Sequence, residues 1–485
     1  MRVYFSIFPS VYNLVKNKLI VLMVVFLASA SYADTHAALK IDAVNMEIWW
    51  IIPFAGILFS IALLPLLAAE FWHHHYGKVS LFWGLVFFVS FTVLYGPSSS
   101  FYYLAHTYVE EFIPFICLLL ALFTISGGIC LKGDLIGTPL VNTTILLIGT
   151  ALASFMGTTG AAMLFIRPII KSNSWRKNKV HIIVFFIFLV ANIGGSLTPL
   201  GDPPLFLGYL RGVDFTWSLF NMFPATFFAV AVLITIFYVM DSYYYNKEAD
   251  KPVKNPNKEK ISIEGKRNFL FFPLVIAAVL FSGLKLDNAF TFYHIDVTWS
   301  RLGQVILLLI ITYASLKITP KRIREANEFN WEPILEVSKL FASIFVTMIP
   351  PIAMLKAGVL GPLGKIIKNI FDSDGLPVES NFFWATGIFS AFLDNAPTYV
   401  IFFEAAGGDA AELMYGRSAS TLLAISAGAV FMGACSYIGN APNFMTKTIA
   451  EQSGIKMPTF FGYIFKYSLP ILIPLFILLT LLFFR

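Results

Sequence analysis

Charge is scarce in this chain: aspartate, glutamate, lysine and arginine together make up 13% of its 485 residues. Such sparse charge, beside 58% hydrophobic residues and a mean hydropathy of +0.75, excludes a water-soluble domain and makes lipid the solvent for most of the sequence. Cysteine is nearly missing too. Cys117, Cys130 and Cys435 have no paired spacing and no histidine placed beside them as a ligand, which excludes a disulfide framework and a zinc site. No nucleophile–base pair and no metal-ligand cluster stands in the apolar runs, so nothing points to an enzyme, a catalytic residue or a cofactor. The formal net charge of +6 does not imply nucleic acid, because the basic residues sit between apolar runs, where membrane topology accounts for them.

What is present is a succession of apolar stretches near the roughly 20 residues that a crossing helix needs. Basic residues (Arg2, Lys16, Lys18), an apolar run Leu19–Leu27 and small residues at Ala28, Ala30 and Ala33 make 1–33 a secretory signal peptide or, if uncleaved, a first helix. Crossings are then expected at about 47–68, 79–97, 111–131, 180–211, 218–240, 268–285, 298–316, 336–354, 418–446 and 461–484, about ten in all. Lysine and arginine cluster in three loops, Arg167 to Lys179, Lys247 to Arg267 and Lys317 to Arg324. An even number of crossings separates them, so all three can lie on the cytoplasmic side.

Two stretches do not fit as simple crossings. Residues 139–167 are interrupted at Gly157-Thr158-Thr159-Gly160, and 381–404 at Asp394-Asn395-Ala396-Pro397, which reads as two re-entrant hairpins. Each is followed by a crossing broken by small and polar residues: Asn192 to Pro204 within 180–211, and Gly433 to Asn443 within 418–446. The expected fold is therefore an all-α polytopic membrane protein of two inverted-topology repeats, an N-terminal half 47–240 and a C-terminal half 268–485, joined by a solvated cytoplasmic linker 241–267.

Backbone freed by a broken helix cannot face lipid, so the four breaks must converge on a cavity. Asp202 stands in the first broken crossing and Asp394 at the second hairpin tip. A carboxylate at bilayer depth costs at least roughly 2.5–3.5 kcal/mol, so it should face a wet cavity with work to do there. Burial favours the protonated form of a carboxyl group, which lets a proton compete with a metal cation for the same oxygens. Neutral oxygens to complete a cation's shell come from Thr158, Thr159, Asn192, Ser196, Thr198, Asn395, Thr398, Ser436, Asn440 and Asn443. Plainer alternatives stay open: either aspartate could cap a half-helix, and the hydroxyls and amides could satisfy neighbouring backbone. Glu332 and Glu336, one helical turn apart, are surface charges or a pH-sensing funnel; Glu110 and Glu111 read as interfacial. His73-His74-His75 beside Lys78 reads as a solvated flank rather than a metal tract.

Ile125-Ser126-Gly127-Gly128-Ile129, Gly157-Thr158-Thr159, Asn192 to Pro204, Trp331-Glu332-Pro333, Phe345 to Pro350, Leu393 to Tyr399 and Ile438 to Asn443 resemble the motifs of NhaD-type sodium/proton antiporters. Those belong to the ion transporter superfamily, with citrate, dicarboxylate and arsenite carriers. The resemblance covers most of the chain from Trp49 onwards, and Gly201-Asp202-Pro203-Pro204 after Asn192-Ile193-Gly194-Gly195 is its most specific part. It implies exchange of sodium or lithium for protons across a bacterial inner membrane, with elevator-like scaffold and transport subdomains, often as a homodimer. The dicarboxylate carriers have a serine-asparagine-threonine pattern at both hairpin tips. This chain departs from it with Gly157-Thr158-Thr159 and Asp394-Asn395-Ala396, adding negative charge where an anionic substrate would be repelled. The expectation is thus a sodium or lithium/proton antiporter with Asp202 and Asp394 holding cation and protons in turn. The alternative is a cation-coupled citrate or dicarboxylate carrier, for which Arg167 is the nearest basic group.

Overall fold

In lipid, backbone polar groups are satisfied within a segment only by helices, and the apolar runs fold accordingly. The computed structural model describes residues 41–249, 251–252, 262–368, 370–372, 377–416 and 418–484. The segment 1–33, expected to be a leader or first helix, and linker residues 250 and 253–261 lie outside the described residues.

The first half comprises α1 (Ile52–Leu67), α2 (Ala69–Thr107), α3 (Ile113–Ser126), α4 (Pro139–Met156), α5 (Thr158–Ser172), α6 (Val180–Leu189), α7 (Pro203–Leu210) and α8 (Trp217–Lys247). The second comprises α9 (Phe271–Ser282), α10 (Trp299–Ile318), α11 (Glu332–Thr347), α12 (Ile349–Lys356), α13 (Glu379–Leu393), α14 (Asn395–Ala405), α15 (Ala419–Met432), α16 (Ala441–Gln452) and α17 (Ile473–Phe483). Among the described residues seven helices are long and apolar enough to cross a membrane, or eight with the bent pair α11–α12 counted as one.

That count is lower than the ten crossings expected, for local reasons. The stretches 79–97 and 111–131 fall in one helical run, Ala69–Ser126, of 58 residues. The run is not one rod: the chain turns back at Gly96 (φ 81°), just before Pro97, so that the Phe88 and Phe101 rings lie 5.5 Å apart and those of Phe91 and Tyr103 5.9 Å apart, and the two stretches lie on separate arms of it. The run stops at Ser126 rather than near 131, because Gly127 and Gly128 follow and Cys130–Lys132 (β1) pairs antiparallel with Ser262–Glu264 (β2). The end of the linker is thereby docked, and with the hairpin Asn288–Phe292 (β3) and Ile295–Thr298 (β4) it departs from a purely helical fold. The expected crossing 268–285 contains only the 12-residue α9. Between α11 and α12 the axis turns by 41°, where Pro350 and Pro351 withhold two backbone donors.

Burial separates centre from periphery. In the apolar window of Val180–Leu197, 89% of residues are buried, against 33% for α8 and 28% for α10, so the broken segment forms the core and the long helices face outward. The pair α4–α5 is closed at its base, where the Gly137 N–H donates to the Ser172 carbonyl at 2.8 Å, so both its ends lie on one side. A fully buried Arg176 next to that base pairs with Asp241 near the end of α8 and donates to the Gly137 carbonyl at 2.7 Å. Asn142 of α4 (3.0 Å) and His181 of α6 (2.8 Å) complete the shell of Asp241.

Candidate functional site

Each helical break repeats the same backbone geometry in the two halves. Gly157, between α4 and α5, has φ 80° and ψ 145°; Asp394, between α13 and α14, has φ 81° and ψ 137°. Thr198 and Ser436, after the short 3₁₀ turns of the broken segments, share φ −142° with ψ 159° and 170°. Asp202 and Asn440, which open α7 and α16, are both extended, at φ −143° and −156°. Glycine is required just before each: a Cβ on Gly201 would run into the Gly195 carbonyl, and one on Gly439 would meet that of Gly433 at 2.5 Å. The turns are too tight for a side chain.

This backbone brings side chains from the three other breaks onto Asp202, which is 1% exposed. Its Oδ1 accepts from the Thr158 hydroxyl at 3.0 Å and from Asn440 Nδ2 at 2.9 Å, and its Oδ2 accepts from Asn395 Nδ2 at 2.5 Å. Asp202 stands where a helix cap would stand but makes no capping bond to α7, leaving its carboxylate to the other three elements. Beyond it, Asn440 also donates to Asn192 Oδ1 at 3.3 Å, and Asn192 donates to Asn443 Oδ1 at 2.7 Å. Asn395 Oδ1 has no hydrogen-bond partner among the described residues although the residue is 1% exposed. A buried acceptor beside a carboxylate, left without a donor, is what a small cation would complete.

Asp394 behaves differently. Its carboxylate accepts from the Ala396 N–H at 3.0 Å, capping α14, and its carbonyl accepts from Thr398 at 2.7 Å; none of these bonds reaches Asp202. Thr198 donates to the Ser154 carbonyl and Ser436 to the Ala391 carbonyl at 2.5 Å, each tying a broken segment to its neighbouring pair. Ser196 turns to Thr226 of α8 at 2.7 Å. Of the residues expected to supply oxygens, then, Thr158, Asn192, Asn395, Asn440 and Asn443 join the Asp202 network, while Ser196, Thr198, Thr398 and Ser436 serve backbone or scaffold.

A cavity of about 440 Å³ reaches this network and is lined also by Thr159, Asp394, Arg167, Glu328, Glu332 and Glu336. Glu332 is exposed and Glu336 half-buried, so both stand towards its mouth, on the side of the basic loops. Arg167 there is paired with Glu328 at 2.9 Å. His74 and His75 bond the carbonyls of Glu70 and Phe71, one turn back on their own helix.

At the opposite end lies a cluster that sequence reasoning missed. Arg211, after α7, bonds Glu111 at 2.8 Å and pairs with Glu404 of α14 at 3.4 Å, with Lys356 3.6 Å from Glu404. Glu110 pairs with Arg301. Glu110 and Glu111, expected to be interfacial, thus join helices, from a π-helical turn at Tyr108–Phe112 that aims two successive carboxylates into the protein. Their surplus of charge in an apolar run was the available signal.

Several apolar helices, breaks that converge on a buried polar network and a cavity leading to it define a multi-pass membrane transporter. The chain belongs to the family described as putative citrate transport, whose model matches residues 43–484. Members of that family are secondary transporters, a class that does no catalysis of its own. No curated protein matches the chain.

Proposed function

We propose that this protein exchanges sodium or lithium for protons across a bacterial inner membrane, with Asp202 as the shared binding group. The observation that carries the reading is the Asp202 carboxylate itself, buried and surrounded by side chains from three other helical breaks. The same oxygens take a cation when ionised and refuse it when protonated, so the two ions bind in turn. Turning the Asn395 amide about its axis exchanges donor for acceptor and presents its oxygen to the cation. The cavity supports a cation as cargo: Asp202, Asp394, Glu328, Glu332 and Glu336 line it, and its arginine, Arg167, is already neutralised by Glu328. Alternating access would follow from movement of two inverted repeats, the cavity now opening towards the basic loops and the Arg211 cluster closing the other face.

The test is purified protein in proteoliposomes loaded at alkaline pH. Addition of sodium or lithium should release protons, and a silent preparation that remains folded would sink the proposal. The family's description favours a second reading, cation-coupled citrate carriage. Uptake of labelled citrate, abolished when sodium is removed, would establish it in place of the first.

A further inference from the structure

A second cavity, of about 510 Å³, lies away from the transport site, between Val180 at the start of α6, the loop Lys456–Thr459 and the stretch Phe461–Tyr467 that leads into α17. Two lysines, Lys456 and Lys466, line it, and both are exposed. Neither has a carboxylate partner among the described residues; the Lys466 amine lies 5.7 Å from the centre of the Tyr467 ring. Two unneutralised ammonium groups in one recess favour an anion.

The surroundings restrict which anion. Val180 directly follows the basic loop Arg167 to Lys179, so the recess lies on the face assigned to the cytoplasm, where anionic lipid headgroups give the membrane surface its negative potential. From the recess an apolar stripe runs along the outer face of the membrane helix: Phe461, Phe465 and Leu469, four residues apart, are 65%, 67% and 42% exposed. A soluble anion makes no use of that stripe, whereas acyl chains lie along it. We infer that this recess binds an anionic phospholipid of the cytoplasmic leaflet, its phosphate between Lys456 and Lys466 and its chains against Phe461 and Phe465.

The experiment uses the full-length protein in neutral detergent, with native mass spectrometry and thermal unfolding after addition of phosphatidylglycerol, phosphatidylcholine or inorganic phosphate. Phosphatidylglycerol should bind and raise the melting temperature, while the other two should not. The Lys456→Gln/Lys466→Gln variant should bind it about thirtyfold more weakly, at about 1 kcal/mol per lysine, and Lys456→Arg/Lys466→Arg should retain it. An equal response to phosphatidylcholine would mean that the apolar stripe acts alone, and an equal response to phosphate that the recess takes a soluble anion. Either result, or an unchanged response in the glutamine variant, overturns the proposal.

Discussion

The helical breaks of the two halves share a backbone geometry and differ in where they place charge. Asp202 corresponds in geometry to Asn440, and Asp394 to Gly157, so neither aspartate has an acidic counterpart. In the first half the acid sits in the broken segment and is left uncommitted to its own helix; in the second it sits at the tip of a helical pair and caps it. A repeated backbone therefore supplies four converging ends, and the side chains break the symmetry so that a single carboxylate receives the amides and hydroxyl of the rest. Two carboxylates at equivalent positions would repel each other a few ångströms apart. One carboxylate facing one amide does not.

Replacing Asp202 with Asn should have the largest effect. The change is isosteric and removes a charge that takes three hydrogen bonds, so cation-driven proton release should fall on the order of a hundredfold while the purified protein melts as before. Near-normal exchange would place the site elsewhere. The comparison sharpens if the charge is then moved across it: Asp202→Asn combined with Asn440→Asp restores one carboxylate opposite one amide, and recovery of about tenfold over Asp202→Asn is expected in the same assay. No recovery would mean that the halves are not interchangeable. Wild-type protein should lose apparent sodium affinity as pH falls, by about tenfold per pH unit below the titration of the shared carboxyl, because only the ionised form binds the cation. A pH-independent affinity, measured by sodium titration of exchange at several pH values, would separate the proton site from the cation site.

The smallest effect concerns Asp394. Its φ of 81° belongs to a region that side chains occupy at a cost of order 1–3 kcal/mol, and the equivalent Gly157 occupies it freely. Asp394→Gly should stabilise the folded protein by about 1 kcal/mol, after loss of the cap, and slow exchange severalfold. A variant that is both stabler and fully active would reduce Asp394 to a helix cap.

Much of this arrangement was legible in the order of residues. Asp202 and Asp394 stood out as charges in apolar context, and the glycines and prolines around them marked the breaks because a freed backbone at membrane depth must converge on something polar. The choice among hydroxyls was not legible. Thr198, Ser436 and Thr398 have the chemistry of ligands, yet a backbone carbonyl claims each of them, that of a neighbouring segment for Thr198 and Ser436 and that of Asp394, one turn back along its own helix, for Thr398. Nor was the Arg211 cluster, whose partners are 100 and 193 residues away along the chain. The reversal between 79–97 and 111–131 was legible in Gly96-Pro97, where the chain turns back and brings Phe91 and Tyr103 within 5.9 Å, although the helix resumes directly after the turn.

The buried Arg176–Asp241 pair has a mechanical consequence. With the Ser196–Thr226 bond, it ties α4, the loop after α5, α6 and the turn that follows α6 to two points along α8, so these elements would move as one lever. On that lever, α8 turns Phe220 and Phe227, 72% and 64% exposed, outward to the acyl chains. Any excursion of Asp202 across the membrane would drag those rings through the hydrocarbon, so lipid chain length would enter the turnover rate as viscous and elastic load.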